Sequence, residues 1–437
     1  MLILFVETAM QTARRAGIVL GSISAAIATL AAAMPARSAD ASGWQIASKA
    51  HYGASANASG YSAVVVLGKN DAWAFGGTNP GGPSTPAAVR WNGTRWQPSS
   101  LPAGLNGFIV AAAASSASNV WAVGDGYALR WNGVRWSVAK TWRANNEVTS
   151  VAVISRNDVW VFGSSSFSGQ PSLGTWHYDG RSWAQVTAAA GGIAGIYRAS
   201  AVSANNIWAI TVSPRGGSLV HYNGTRFASV PAAHPALAST QLSDVLAVSR
   251  HNVWVSGTTP ANAADGHLVL AHWNGRCWHR FMSPWPVQQA ERFATDGDGG
   301  VWIPVVTEGN DSPTWILHLS RDGGWTRTQI TAARGSWVGV GDLALVPGTT
   351  TLWGTGGMVT TSGGEAAIWD HGVDVDHLAA RIHHWAPRDH PAIAGRGVIR
   401  FYLTLGSNAA VQVFLVPRQY WARRAPLHQP PEPALST

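Results

Sequence analysis

The chain is 437 residues long and contains one cysteine, Cys277. An intramolecular disulfide is therefore excluded, and packing must hold the fold together. Lysine is nearly missing, with only Lys49, Lys69 and Lys140, and charged residues make up 12% of the sequence. The net charge of +8 falls on arginines scattered along the chain, with no basic run. That distribution excludes a nucleic-acid-binding arm. After residue 33 no apolar run is long enough to cross a membrane. What is present in quantity is tryptophan (24), glycine (48) and proline (23). Aromatic-rich, turn-rich sequence with few helix-favouring charged residues points to β structure. All-β folds also run to this length as one domain.

Residues 1–41 have the layout of an export signal. Arg14 and Arg15 precede the apolar stretch "AGIVLGSISAAIATLAAA", Ala16 to Ala33. Pro35 and two small-residue sites, Ala36-Arg37-Ser38 and Ala39-Asp40-Ala41, follow. This is the n-region, h-region and cleavage order of a secretory signal peptide. No cysteine stands at the cleavage region that follows the apolar stretch, so a lipoprotein anchor is excluded. The expectation is a secreted protein with no stable membrane anchor, its translation starting at Met1 or Met10.

The rest of the chain repeats itself. "NDAWAFGG", "SNVWAVGD", "NDVWVFGS", "NNIWAITV", "HNVWVSGT", "GGVWIPVV" and "TTLWGTGG" carry Trp73, Trp121, Trp160, Trp208, Trp254, Trp302 and Trp353. The steps between these tryptophans are 48, 39, 48, 46, 48 and 51 residues. A period in the forties signals a propeller or a solenoid. Each unit reads as four short strands, a to d. In the first unit they are "SAVVVL", "AWAFG", "AAVRW" and "RWQPS". Four-stranded antiparallel units with small apolar inner strands fit the blades of a propeller.

Between strands c and d stands a heptapeptide: "RWNGTRW" (Arg90 to Trp96), "RWNGVRW" (Arg130 to Trp136), then "HYDGRSW", "HYNGTRF" and "HWNGRCW". Asn-Gly is a hairpin signal, because glycine accepts positive φ without penalty. Burying one flanking tryptophan, ~200 Å² at ~25 cal/mol per Å², contributes up to about 5 kcal/mol. The motif is thus expected to be architecture, and a row of exposed sugar-stacking tryptophans is the alternative. The seventh unit has strands b and c but no strand d, whereas "GWQIAS" (Gly43 to Ser48) matches "RWQPSS" (Arg95 to Ser100). The N-terminal strand of the mature chain is therefore expected to complete blade seven and remove two open sheet edges. The predicted fold is an all-β, seven-bladed propeller over residues 42–372.

The "NVWAVG … WNGTRW" pattern resembles repeats of secreted bacterial β-propeller proteins, loosely related to the kelch and galactose-oxidase-like class. The resemblance spans all seven units and implies the fold and export, but no single activity. "SRDGGW" (Ser320 to Trp325) is similar to the Asp-box of sialidase-type propellers. Residues 373–437 fit no blade and read as an irregular His- and Arg-rich tail, partly disordered. Within it "VIRFYLTLGSNAAVQVFLV" has the pattern of a hairpin.

Connection lengths separate the two faces of the ring. The a–b and c–d turns are short and nearly identical; the b–c and d–a connections are long and varied, and varied loops on a rigid scaffold are where function usually sits. Aligning the units on their tryptophans places Ser62, Val110, Thr149, Tyr197, Arg198, Ser243, Asp244, Glu291, Arg292 and Asp342 just before strand a, at the mouth of the central channel. Tyr197, Arg198, Asp244, Glu291, Arg292 and Asp342 form the candidate ligand-binding set, since arginines and carboxylates converging on one opening suit a polar ligand. The competing reading is a rim of solvated ion pairs.

Catalytic readings find less. Copper chemistry of the galactose-oxidase type implies a Cys-linked tyrosine, but Cys277 sits in a c–d turn on the opposite face and reads as a partly buried, unreactive thiol. "YRAS" (Tyr197 to Ser200) departs from the sialidase arginine motif. A lyase-like set of His51, Tyr197 and Arg198 is unspecific. Asp376, His377, His383, His384 and His390 lack the spacing of a metal site. No metal or cofactor is expected. Two functions remain: a monomeric, exported binding module for an extracellular glycan, wall polymer or protein, or a secreted glycoside hydrolase or lyase with its site at the channel mouth.

Overall fold

A computed structural model describes residues 43–372, except 52–58, 79–82, 143–146, 165–172, 187–194, 212–216, 260–265, 308–313, 331–336 and 361–362, together with the backbone of 399–404 and 410–415. The proposed signal segment, the candidate metal ligands of the tail and the side chain of His51 lie outside the described residues. Seven antiparallel sheets follow one another along the chain as blades. Blade one is representative: Gly60–Gly68, Asp71–Thr78, Thr85–Trp91 and Trp96–Pro98, paired in that order. The inner strands of blades two to five are Ile109–Ser116, Val148–Ser155, Ile196–Ser203 and Gln241–Ser249. That of blade six is broken into Gln289–Ala290 and Ala294–Thr295, and that of blade seven is Trp337–Leu345. In the tail, Ile399–Thr404 pairs with Ala410–Leu415 as the sequence pattern anticipates.

The second strand of each blade is the most buried because it lies mid-sheet, with a neighbouring blade against each face. In blade one Ala72, Trp73, Ala74 and Phe75 have no exposed surface. The ring closes as expected. Trp44–His51 pairs antiparallel with Gly363–His371, in register from Trp44↔His371 to His51↔Glu365. Lys49 Nζ reaches Glu365 Oε2 at 3.2 Å across that seam.

The heptapeptide is architecture, of a kind that reaches beyond its own blade. In blade one the turn is a four-residue loop, and Asn92 Oδ1 accepts the N–H groups of Thr94 and Arg95, both at 3.0 Å. Gly93 has φ +94°, and a Cβ there would lie 2.8 Å from Asn70 Oδ1 in the adjacent a–b turn. The two flanking aromatics cover the mid-sheet tryptophan of the preceding blade. Trp131 and Trp136 lie 5.1 and 5.2 Å from Trp73. Tyr178 and Trp183 cover Trp121 at 5.6 and 5.8 Å. Tyr222 stands 5.0 Å from Trp160, and Trp278 stands 5.9 Å from Trp208. Trp91 and Trp96 of blade one close the circle onto Trp353, both at 5.2 Å. Trp44 of the closing strand meets Trp302 at 6.1 Å. Tilted and edge-on aromatic pairs of this kind contribute about 0.5–1.5 kcal/mol each beyond area burial.

Candidate functional site

The candidate residues sit inside the inner strands, not ahead of them as the alignment implied. Each inner strand except that of blade six slips register at the channel mouth. The slips fall between Tyr61 and Ala63, Ile109 and Ala111, Val148 and Ser150, Ile196 and Arg198, Leu242 and Asp244, and Val340 and Asp342. Each is a β-bulge, which bends a strand and re-aims the side chains beside it. The bulged positions are Ser62, Val110, Thr149, Tyr197, Ser243 and Gly341, and Arg198, Asp244 and Asp342 follow directly. In blade six the strand is interrupted at the same level, and Glu291 and Arg292 occupy the gap.

These side chains join blades. Arg292 donates from Nη1 to the Ser62 carbonyl at 3.0 Å and from Nη2 to the Val110 carbonyl at 2.7 Å. Its Nη1 lies 3.7 Å from Asp342 Oδ2, which also accepts the N–H of Val64 at 3.0 Å. One arginine of blade six thus reaches blades one, two and seven. Arg198 stacks on the Tyr197 ring, 4.1 Å from its centroid, and donates to the Tyr197 hydroxyl at 3.2 Å and the Thr149 carbonyl at 3.4 Å. Its Nε is 4.0 Å from Asp244 Oδ1. Gln289 Nε2 donates to Glu291 Oε1 at 2.7 Å. Hydroxyls extend the lacing: Thr149 Oγ1 donates to the Ile196 carbonyl at 2.6 Å, and Ser62 Oγ donates to that of Ile109.

The two arginines and two aspartates therefore form a mostly buried lattice and not a solvated rim, with Tyr197 and Glu291 partly exposed at its edge. Asp244 is 9% exposed and Asp342 8%. Burial pushes the Asp244 and Glu291 carboxyls above the ordinary range and that of Asp342 up to about 6, against the pull of the two arginines. Burial, reinforced by the charge of Arg292, holds the Arg198 guanidinium below its usual value. The native ring then keeps a proton on Asp342 at pH values where the unfolded chain has released it. That stabilisation is complete below pH ~4 and is lost as pH rises through about 6. The melting temperature is expected to fall across this window by the equivalent of about 2–3 kcal/mol, since a tenfold change in proton affinity is worth ~1.4 kcal/mol. Asp342→Asn should flatten the slope; thermal melts from pH 4 to 8 measure both.

On the other face the structure reveals a repeat that the sequence reading passed over. The residue before the first hairpin aromatic lies directly across from the mid-sheet tryptophan, as in Trp73↔Arg90 and Trp254↔His272. In blades one, three, four and five it is held by an acid or amide two residues before that tryptophan. Arg90 Nε donates to Asp71 at 2.8 Å, His177 meets Asp158 at 2.9 Å, His221 meets Asn206 at 2.9 Å and His272 meets Asn252 at 3.0 Å. In blade six that position is Gly300, and Asp296 substitutes from further back, 2.8 Å from His318. The signal was present in the sequence as a second periodicity: in blades one to five Asp or Asn stands two residues before the tryptophan, and in blades one to six Arg or His precedes the c–d hairpin. One expectation on this face is corrected: Cys277 is exposed, with Sγ 3.3 Å from His279 Nε2. It sits at the tip of a hairpin, where no neighbouring blade covers it.

No protein-family model and no curated protein matches this chain. Solved structures do. The chain is similar to YCF48 from Cyanidioschyzon merolae, at 14% identity over 75% of this chain and 98% of that one, with a TM-score of 0.50. A YCF48 bound to a D1 peptide matches at 13% identity over 76% of this chain and 97% of that one, TM-score 0.50. The GH74 xyloglucanase from Xanthomonas campestris matches at 15% identity over 72% of this chain and 53% of that one, TM-score 0.50. At such identities the likeness is one of fold. No helix among the described residues is long and apolar enough to cross a membrane.

Proposed function

We propose that the chain is an exported binding module, a rigid ring whose loop-bearing face holds an extracellular glycan, wall polymer or protein. One observation carries this reading. The arginines at the channel mouth are committed to carbonyls and carboxylates of other blades, so they stiffen a platform and do not await a reacting group. Tyr197 and Glu291, both partly exposed, are the side chains of that platform best placed to meet a ligand. The likeness of the repeats to secreted bacterial propellers supports export.

A hydrolase or lyase is the second reading, favoured by Asp342, whose carboxyl near 6 is in the range a general acid requires. A glycan and wall-polymer binding screen with a reducing-end readout separates the two. Tyr197→Phe with Glu291→Gln is expected to weaken binding at least tenfold, and Arg95→Ala with Arg135→Ala, on the short-turn face, to leave it unchanged. Loss of binding in the second pair alone would move the working face to the other side. Polymer cleavage abolished by Asp342→Asn would establish the enzyme.

A further inference from the structure

The ring of hairpin aromatics has one gap. Trp254 of blade five should be covered by the hairpin of blade six, but the first aromatic position there is Leu319. That hairpin is also one residue longer. Its turn closes from Ser320 N–H to the Gly324 carbonyl at 2.9 Å, where blade one closes from Asn92 N–H to the Arg95 carbonyl at 3.3 Å. Leu319 and Trp325 still pack in the cluster that contains Trp254, which stays 3% exposed, but a leucine does not fill the space of an indole, and room remains beside it. The facing a–b turn is lined by Gly297, Asp298 and Gly299 and adds little bulk. A cavity of about 480 Å³ opens between the two blades on the short-turn face, a size common among small-molecule sites.

The chemistry of its wall differs from that of the channel mouth. Trp254 and His272 stack at 3.9 Å with ring planes 9° apart, and the Phe281 ring stands 6.1 Å from Trp254. Around this aromatic wall stand Asn252, Asp298 and Arg321. Asn252 Oδ1 accepts from His272 Nε2, which leaves the amide NH₂ to donate. The Asp298 carboxylate and the Arg321 guanidinium have no partner among the described residues, and both residues are exposed. A carboxylate that only accepts, a guanidinium that only donates and an amide donor therefore surround an aromatic surface.

We propose that this inter-blade cavity is a saccharide subsite, taking one pyranose ring. A pyranose presents hydroxyls that both donate and accept, matching Asp298, Arg321 and Asn252, and a C–H face that packs on Phe281. An aromatic side chain from a protein partner fills the same volume, but its ring brings nothing to hydrogen-bond these three groups, which the contact would desolvate. The site lies on the face opposite the loops and does not depend on the channel mouth.

The test uses the full chain and three probes: methyl β-glucoside, methyl β-galactoside and N-acetylglucosamine. Saturation-transfer NMR and calorimetry are expected to show saturable binding of at least one. Asp298→Asn with Arg321→Ala, exposed positions that leave the core untouched, should weaken it at least tenfold. Leu319→Trp, which restores the missing aromatic, should abolish it and leave binding at the loop face as it is in the parent protein. Failure of all three sugars to saturate overturns the proposal, as does binding unchanged by the Asp298/Arg321 pair. Binding of N-acetyltryptophanamide in preference to the sugars would assign the cavity to a protein partner instead.

Discussion

Arg292→Ala is expected to destabilise the ring by about 3–5 kcal/mol, the usual cost of removing one member of a buried charge cluster. Three losses combine. The Ser62 and Val110 carbonyls lose their donor, Asp342 loses its nearest cation, and the channel loses a strut that spans four blades. Asp342 is buried and the two carbonyls are half-buried, and an unsatisfied buried acceptor costs about 1–3 kcal/mol. Arg95→Ala is the comparison: Arg95 is exposed on a hairpin tip, and its loss should stay within ~0.5 kcal/mol. Equal midpoints for the two variants in urea unfolding would mean that the lattice at the channel mouth does not hold the ring. Because stability is at stake, Arg292 and Arg198 are unsuitable for testing ligand contacts.

The second large effect concerns closure. Deleting residues 43–51 removes the outer strand of blade seven and uncovers the length of Gly363–His371. It also strips Trp44, which is 7% exposed, from Trp302 and His371. An open strand edge recruits other chains, so the truncated protein should aggregate and melt well below the parent. Trp44→Ala separates the two contributions. It keeps the backbone seam but leaves a cavity worth about 3–5 kcal/mol, and it should remain monodisperse. Sedimentation and thermal melts of both variants decide the matter; a truncated chain that melts and sediments like its parent refutes closure by this strand.

Periodic features were the legible ones. The tryptophan spacing exposed seven blades, and the match of "GWQIAS" to "RWQPSS" exposed the closing strand, because both depend on the same local environment recurring. The channel-mouth residues were found by alignment offset alone. Their bulges were not foreseen, since a one-residue slip leaves no mark on an alternation of small apolar residues such as "GYSAVVVL". The burial of Asp244 and Asp342 was also illegible, because what buries them comes from other blades. The reach of the hairpin aromatics into the preceding blade was hidden for the same reason. The cavity beside Trp254 needed both pieces of knowledge: Leu319 is an ordinary hydrophobic residue until its hairpin position is known to hold an aromatic in the other blades.

The direction of the aromatic contacts has a consequence for how the molecule comes apart. A linear repeat array frays from its ends, and its stability is a sum of units and interfaces. Here the mid-sheet tryptophans pack against the hairpin of the following blade, Trp254 against Leu319 and the others against aromatics, and Trp353 of the last is finished by Trp91 and Trp96 of the first. No blade completes its own core, and none is terminal. Peeling any one away unroofs its predecessor, which unroofs the one before it. Unfolding of such a ring has no free end at which to begin, so a weak blade lowers the threshold of the whole instead of melting ahead of it.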